Sequence, residues 1–324
     1  MPFSITSKPL VFGILAVSFV NIALFATTRA TVDLSDMPEI ALQLVGFALL
    51  WFAAHRFRDD PGYLLRSTRN LFEGLFFLTM FAITMATLNN LSMMIPFPFQ
   101  DDLLAGWDAA LGLNWLAYFE AVHSSPTAIW ILEWAYNDLA LAGLAVFAAL
   151  AFFRDERRLR YYMEIFFYTA LITMIVGACF PALAAVDRYI VNLSDYPNFP
   201  TPPGIYHLSH FETLRGASEI VINPVGLPGL VTFPSYHTAS GIMLCIGVFR
   251  TWLFWPVLLY SAAMIASSPV FGGHYFIDLV AGASLAFLVA WVNARRSIYD
   301  GLFARRATRT ETADHAADAN LHTA

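Results

Sequence analysis

The chain carries little charge for its length. Of its 324 residues, 13% are Asp, Glu, Lys or Arg and 58% are hydrophobic, whereas about a quarter of a typical soluble domain is charged. The apolar residues also stand in long runs, as a bilayer requires, rather than in amphipathic stripes. This composition excludes an ordinary soluble domain and predicts a polytopic membrane protein. The basic residues form no patch that would bind nucleic acid.

Cysteine is almost absent as well. The two cysteines, Cys179 and Cys245, both stand inside apolar runs, where a thiol usually serves as an inert packing residue. The chain therefore implies neither a disulfide framework nor a cysteine metal site.

The apolar runs predict an all-α bundle of about eight membrane-spanning helices. The sixth and seventh are short and are separated by little more than Arg250, so a single helical hairpin is an alternative for this pair. The predicted spans cover residues 10–28, 38–55, 71–88, 127–153, 162–184, 236–250, 252–268 and 275–294.

An amphipathic segment lies between the third and fourth predicted spans, with the sequence DDLLAGWDAALGLNWLAYFEAV. Its periodicity favours a helix in the membrane interface, and an ordinary packed extramembrane helix is the alternative. The apolar residues that recur at helical spacing are Leu104, Trp107, Leu111, Trp115 and Phe119, and the opposite face holds Asp101, Asp108 and Asn114.

The distribution of positive charge predicts the orientation. With the N-terminus in the cytoplasm, 15 of the 18 Lys and Arg residues fall inside, and only Arg29, Arg188 and Arg215 fall outside. Both termini are then cytoplasmic, and a cleaved signal peptide in place of the first span would leave the remaining orientation unchanged. We predict an integral membrane protein, placed in a bacterial inner membrane with a periplasmic site.

The loop between the fifth and sixth predicted spans, roughly residues 185–235, is far longer than usual, which is typical of functional loops. Residues 297–324 are polar, lack periodicity and are predicted to be disordered. The predicted organisation is N-terminal transmembrane helices over 1–95, a catalytic membrane domain over 96–296 and a cytoplasmic tail over 297–324.

His237 stands at the start of the sixth predicted span, in the stretch FPSYHTASG. Pro234 and Ser235 precede it, and Ser235 is a residue type that caps helices. A helix N-terminus presents free N–H groups that suit a phosphate. For a lone histidine, however, a polar side chain meeting water at a helix end is the simpler interpretation.

His274 is more informative because Asp278 follows four residues later, in GGHYFIDLVAG. On a helix this spacing brings two side chains to one face. The aspartate can accept the Nδ1 proton, orient the ring and leave Nε2 free as a nucleophile or base. Asp278 also stands one turn into a predicted span, where an ionisable group is a functional candidate. A structural His–Asp cap is the alternative.

The stretches FPSYHTA and GGHYFIDLVAG resemble the second and third signature motifs of the type 2 phosphatidic acid phosphatase superfamily. Upstream, FPALAAVDRY and LRG are similar to looser features of the branch that contains the inositol phosphorylceramide synthases, and the chain looks most similar to this branch. The resemblance covers about residues 101–294. The resemblance implies a six-helix phosphatase-like core. It also implies that His237 protonates the leaving group, that His274 attacks phosphorus and that Asp278 orients His274.

The chain departs from that family where phosphate is bound. The family's phosphatases usually carry a lysine motif ending in Arg-Pro, but this chain has one lysine, Lys8, and no Arg-Pro pair. Ser268 replaces the arginine usual six residues before the third-motif histidine. The external cations Arg215 and Arg188 are therefore candidate phosphate ligands, with Arg215 favoured and a solvated loop charge as its alternative. Ser235 and Gly273 complete the predicted phosphate-binding set.

These observations predict a lipid phosphotransferase that acts at the outer face of the membrane and forms a phosphohistidine intermediate. The departures favour this function over its main alternative, a lipid phosphate phosphatase of the phosphatidic acid or polyprenyl phosphate type. A transporter or non-catalytic scaffold is a distant alternative, because transporters gather ionisable residues near the midplane. The expected partners are a membrane lipid and a polar alcohol or lipid acceptor. No pattern indicates an oligomeric state.

Two further polar groups are candidates for a site. His207 and His210 have metal-like spacing with Glu212 nearby, but no third ligand is well spaced, so neither a metal nor a cofactor is predicted. In the fourth predicted span, polar side chains either line a head-group cleft or make hydrogen bonds between helices. These residues are Glu133, Asn137 and Asp138.

Overall fold

The computed structural model describes residues 5–56, 63–153 and 155–295, and it confirms an all-α membrane bundle. Besides helices, the described chain has one pair of three-residue strands, β1 (Ala30–Val32) and β2 (Ile220–Ile222). The helices are α1 (Lys8–Thr27), α2 (Met37–Arg56), α3 (Tyr63–Met93), α4 (Asp101–Ala110), α5 (Trp115–His123), α6 (Pro126–Asn137), α7 (Leu139–Phe152), α8 (Glu156–Cys179), α9 (Ala185–Tyr189), α10 (Leu208–Gly216), α11 (Tyr236–Gly247), α12 (Phe254–Phe271) and α13 (Phe276–Arg295).

Six of these helices are long and apolar enough to cross a membrane by themselves, namely α1, α2, α3, α8, α12 and α13. The pair α6 and α7 counts as a seventh span if it is taken as one broken helix. The sixth predicted span is occupied by α11, whose 12 residues extend about 18 Å, well short of a hydrocarbon core of about 30 Å.

The fourth predicted span is bent by 57° between α6 and α7. Asp138 lies at the bend and serves as the C-cap of α6 and the N-cap of α7, with φ −92° and ψ 12°. Asn137 precedes it, and both residue types compete poorly for helix interiors because their side chains bond to nearby backbone. The break in an otherwise apolar run therefore has a local cause.

The bundle is organised around α3, which packs against α1, α2, α7 and α8. Helix α11 packs against α8 and α12, and α12 packs against α6. A separate core beneath the long loop contains Trp115, Phe119, Phe271 and Tyr275. This second core joins the interfacial segment to the start of α13.

The interfacial segment forms two helices rather than one. Gly112, with φ +70°, breaks the chain between α4 and α5, and the Asn114 side chain caps α5 by accepting the Ala117 N–H at 3.0 Å. Because the break rotates the second helix relative to the first, the predicted single apolar face is divided. Trp107 and Leu111 are exposed.

The remaining members of that predicted face, Leu104, Trp115 and Phe119, are buried. Asp108 lies on the face predicted to be polar, yet it is also buried. The face predicted to be polar is therefore partly buried by packing, because Asp108 accepts hydrogen bonds from the start of α13.

The long loop is folded in the structure. It contains α9, α10 and β2, and β2 pairs in parallel with β1, aligning Ala30 with Ile220. This pairing attaches the loop to the chain that follows α1. The predicted disordered tail, residues 297–324, lies outside the described residues.

Candidate active site

The two histidine motifs are joined directly at the start of α11. Ser235 is the N-cap of this helix, and its hydroxyl accepts the Thr238 N–H at 3.3 Å. Its own N–H donates to the carbonyl of Asp278 at 3.0 Å. The capping residue therefore fixes the first turn of α11, which carries His237, against the first turn of α13.

The structure brings His274 and Asp278 into contact, although not through a shared helix face. His274 precedes α13, and Tyr275 is the residue at its N-cap position. Asp278 Oδ2 accepts the Tyr275 N–H at 2.9 Å and lies 3.2 Å from His274 Nδ1. The aspartate thus closes one half of a capping box and contacts the imidazole with the same oxygen.

This contact favours one tautomer of His274, and a ring nitrogen also interacts with the Thr232 backbone. A carboxylate beside Nδ1 favours the tautomer that has its proton there, so Nε2 presents a lone pair. The Ser235 hydroxyl lies 3.4 Å from Nε2. Burial lowers the pKa of His274 to about 4, which keeps the ring neutral near pH 7. A neutral, oriented imidazole is a competent nucleophile.

His237 faces His274 across a small gap. Their ring centroids are 6.1 Å apart, and the rings are inclined by 65°. Tyr136, near the end of α6, stacks on the other face of His237 with centroids 4.2 Å apart. Tyr136, which lies just before the bend, therefore supplies an aromatic ring that holds His237 in place.

Both histidines line a cavity of about 80 Å³. A larger apolar pocket of about 490 Å³ lies alongside and shares Tyr136, Tyr236 and His237 with it. The small cavity is polar on one wall because the long loop contributes Tyr206, His207 and Thr232. The site thus consists of a compact polar chamber next to an apolar compartment among α3, α7, α8 and α11.

Neither arginine predicted to bind phosphate lines this chamber. Arg215 donates to the carbonyls of Met93 and Phe97, both at 2.9 Å, where the chain leaves α3. Arg188 forms an exposed ion pair with Asp102. Each guanidinium thus has a partner outside the chamber, and the role of both arginines as phosphate ligands stays a prediction.

Gly273 has a backbone role in the structure. Its φ is +67°, and an added Cβ would lie 2.7 Å from the carbonyl oxygen of Gly204. Its own carbonyl accepts the Ala185 N–H at 2.7 Å. The glycine lets the loop and α9 approach His274 closely. The chamber wall next to His274 is formed by Gly272 instead.

The predicted head-group cleft is dispersed. Asn137 lines the apolar pocket, Glu133 accepts a hydrogen bond from the Thr201 hydroxyl at 3.3 Å, and Asp138 occupies the bend. None of the three lines the polar chamber. Within the described residues, no group of three or more His, Cys, Asp or Glu side chains could hold a metal ion.

Sequence reasoning missed the support behind His274. The two oxygens of Asp108 accept the Phe276 and Ile277 N–H groups at 2.9 and 2.8 Å. Asp101, one heptad earlier, accepts the Tyr275 hydroxyl at 2.9 Å. The spacing of seven residues, which places both carboxylates on one face of α4, was the available signal. Asp108 thus caps α13, and Asp101 holds the side chain of Tyr275 at the N-cap position.

His207 was also missed as a member of the site. Its Nε2 lies 2.8 Å from the Leu183 carbonyl, whereas His210 Nε2 lies 2.6 Å from Asn90 Oδ1. The two rings therefore bind different partners and do not form a metal pair. Only His207 lines the chamber.

Comparison with known proteins agrees with this geometry. A family model described as the PAP2 superfamily matches residues 102–292, a segment that begins at α4 and includes both histidines and Asp278. No curated protein and no solved structure matches the chain. Because the matched segment covers more than half of the chain, the protein belongs to the PAP2 superfamily and is a membrane enzyme of the phosphatase or phosphotransferase type that acts on lipid phosphates.

Proposed function

We propose that the protein is a lipid phosphotransferase that forms a phosphohistidine on His274. The observation that carries this proposal is the buried contact of Asp278 with Nδ1, which leaves Nε2 facing the chamber that His237 shares. We also propose that the chain belongs to the branch that contains the inositol phosphorylceramide synthases, and this assignment rests on the resemblance of the two histidine motifs. We also propose residues 96–296 as the catalytic unit.

The reaction is a double displacement. His274 Nε2 attacks phosphorus, the bond from phosphorus to the leaving oxygen breaks, and His237 gives a proton to the departing alkoxide. Because burial lowers the pKa of His237 in the free enzyme, His237 takes up this proton from solvent together with the bound phosphate. In the second half, the acceptor hydroxyl loses its proton to His237 and its oxygen attacks phosphorus. The N–P bond then breaks and returns its electron pair to His274. Proton and charge balance over the cycle.

Asp278 has two tasks in this scheme. It stabilises the imidazole proton on Nδ1 while positive charge develops on His274, and it holds the Tyr275 N–H at the start of α13. The Ser235 hydroxyl, 3.4 Å from Nε2, marks where a phosphoryl oxygen arrives. Substrate binding displaces this weak contact, and the hydroxyl becomes a donor to that oxygen.

The two compartments suit the two parts of a lipid. The apolar pocket of about 490 Å³ accepts acyl chain, and the polar chamber accepts the phosphate. We propose that the lipid enters sideways from the outer leaflet, because the positive charge places the starts of α11 and α13 outside. The site would then be periplasmic, with both termini in the cytoplasm.

A lipid phosphate phosphatase is the second candidate, and the size of the chamber favours it. A volume of about 80 Å³ has room for a phosphate group or a few waters. A sugar alcohol acceptor would have to extend into the adjoining pocket, with which the chamber shares Tyr136, Tyr236 and His237.

The test uses purified full-length protein and a lipid labelled with ³²P in its phosphate. Wild-type protein should give an acid-labile, alkali-stable phosphoprotein, and His274→Ala should give none. His210→Ala, whose ring contacts Asn90 outside the chamber, controls for folding. A labelled phosphoprotein that persists in His274→Ala would refute the mechanism.

The same preparation separates the two candidate functions. It is incubated with and without inositol, ceramide and diacylglycerol. A new labelled phospholipid identifies the transferase, and labelled inorganic phosphate under every condition identifies the phosphatase. His237→Ala should still be phosphorylated by a nitrophenyl phosphate, because that leaving group needs no proton. It should fail with the lipid.

A further inference from the structure

The polar chamber contains no permanent cation. Lysine and arginine are absent from its walls, and among the groups that line it only His207, His237 and His274 can become positively charged. Phosphoryl transfer needs donors aimed at the phosphoryl oxygens. His274 must be neutral to attack, and His237 must give its proton away. The remaining imidazole is His207.

His207 is oriented so that one ring nitrogen is held and the other is free. Nε2 lies 2.8 Å from the carbonyl of Leu183, which can only accept, so the ring proton is on Nε2. Nδ1 is buried and has no hydrogen-bond partner among the described residues. The side chain is 3% exposed, and it lines the same chamber as the two motif histidines.

We propose that His207 is the phosphate-binding cation of this site, and that it takes up a proton at Nδ1 when the phosphate group enters. This inference rests on the proposed function. In the neutral ring Nδ1 presents a lone pair that repels a phosphoryl oxygen. In the protonated ring both nitrogens donate, Nε2–H to Leu183 and Nδ1–H to the phosphate. The resulting hydrogen bond joins two charged groups and is correspondingly strong. The proton comes from solvent water or, when the substrate is a phosphomonoester, from its monoanion.

The proposal predicts how substrate affinity depends on pH. Burial lowers the pKa of His207 in the free enzyme, and protonated His274, which faces it, would lower it further. Tyr206, against whose ring His207 packs at 5.0 Å, is neutral at these pH values. A bound phosphate dianion acts in the opposite direction and raises the pKa. Binding is therefore coupled to uptake of one proton and weakens as pH rises.

The test compares His207→Gln with His210→Gln. Glutamine can keep a donor to Leu183 but supplies no cation to the chamber, and the His210 substitution is its match in the same loop. KM for a lipid phosphate and the inhibition constant of inorganic phosphate are measured from pH 5.5 to 8.5. Wild type and His210→Gln should lose affinity by roughly tenfold per pH unit on the alkaline side, the slope for one proton.

His207→Gln should show a pH-independent KM raised about tenfold or more, with a smaller change in kcat. Retention of the wild-type pH dependence in His207→Gln would overturn the proposal and leave His207 as a structural link to Leu183. Formation of the ³²P-labelled phosphoprotein distinguishes a failure of this inference from a failure of the proposed function. If wild type forms it and His207→Gln behaves as wild type, only this inference fails. If wild type forms none, the proposed function fails.

A second inference concerns a cavity at the other end of α11. This cavity has a volume of about 1,080 Å³ and lies among α8, α11, α12 and α13. It exists because α11 is too short to fill the depth of the bundle. Its interior is apolar, with Ile242, Ile246, Leu258, Ile265 and Phe287 in its walls.

The rim of this cavity is basic. Arg157, Arg158 and Arg250 line it, and Asp155 pairs with Arg158 at 3.5 Å. Within the described residues no carboxylate pairs with Arg157 or Arg250. Three exposed tryptophans are close in sequence to residues that line the cavity, and tryptophan is enriched at the level of lipid head groups. They are Trp252, Trp255 and Trp291.

We propose that this cavity binds an anionic phospholipid, with acyl chain in the interior and phosphate at Arg157 and Arg250. A space with apolar walls at this depth is filled by lipid chains, and because chains gain little by leaving one apolar medium for another, the head-group charge decides which lipid is retained. This site is separate from the histidines and does not depend on the proposed function.

The experiment is native mass spectrometry of the full chain with phosphatidylglycerol or phosphatidylcholine of equal chain length. Wild type should retain phosphatidylglycerol preferentially. The double variant R157Q/R250Q should weaken that retention by roughly fivefold per arginine. K8Q/R66Q removes the same charge away from the cavity and should match wild type. Equal retention of both lipids, equal losses in both variants, or a dimer that excludes lipid would each refute the proposal.

Discussion

Substitution of Asp108 by asparagine tests the most demanding part of the structure, the support of α13 from a different helix. Asp108 is 1% exposed, and its oxygens accept the first two N–H groups of α13 at 2.9 and 2.8 Å. Asparagine has the same shape but one acceptor. Its amide NH₂ would face a backbone N–H, which leaves that donor buried and unpaired.

The size of the effect follows from these contacts. A hydrogen bond to a charged group contributes about 1.5–3 kcal/mol, and an unpaired buried donor costs about 1–3 kcal/mol. Because the two contributions overlap, we expect Asp108→Asn to lower the free energy of unfolding by about 2–4 kcal/mol. Asp278 follows Ile277 directly, so any shift of this turn moves Asp278 relative to His274. We therefore expect kcat to fall by about tenfold or more.

The assay is reversible unfolding in mixed micelles, together with turnover of a lipid phosphate. Asp102→Asn is the matched control, because Asp102 belongs to the same helix but is exposed and paired only with Arg188, an arrangement that contributes about 0–1 kcal/mol. If Asp108→Asn unfolds within about 0.5 kcal/mol of Asp102→Asn, the claim that this carboxylate supports α13 is refuted.

Two other predictions concern packing and pH. Gly282→Ala would place a Cβ 2.2 Å from the Ser235 carbonyl oxygen, whereas Gly143→Ala meets no heavy atom within 4 Å. We expect the first to destabilise by about 1–3 kcal/mol and the second to leave the unfolding midpoint unchanged or raised; equal midpoints would contradict this packing. Because burial lowers the pKa of His274 to about 4 and the neutral ring is the nucleophile, the acid limb of kcat/KM should lie well below pH 6.5, the ordinary value for histidine. A limb near 6.5 would show that the ring is not buried as described.

The pairing of His274 with Asp278 was predictable from spacing, but the geometry that produces it was not. The sequence predicted two residues on one face of a helix. In the structure His274 precedes the helix, and Asp278 reaches back as its third residue. The two arrangements bring the same side chains together, since a capping aspartate points toward the residues just before the helix. The two side chains therefore meet although His274 precedes the helix instead of lying on it.

The partners that come from distant parts of the chain could not be predicted. A polar face on α4 indicates water or a polar partner equally well, and no local sequence feature identifies the N-terminus of α13 as the partner of Asp108. His207 likewise enters the chamber only because the long loop is folded back across Leu183. Charge counting favoured Arg215 for the phosphate, but the carbonyls of Met93 and Phe97 engage this side chain.

The placement of charge explains how the site can work without the family's usual basic residues. Asp101, Asp108 and Asp278 lie behind His274, where each accepts a hydrogen bond from Tyr275 or Phe276 at the start of α13. Their negative charge would weaken substrate binding if they faced the chamber. Instead, the carboxylates accept hydrogen bonds from donors at the start of α13. The chamber is then lined by neutral groups that become cationic only with bound phosphate. A permanent guanidinium binds phosphate and product alike, whereas a histidine that must be protonated releases product when it loses that proton. In the proposed assignment, pH thus controls both binding and release.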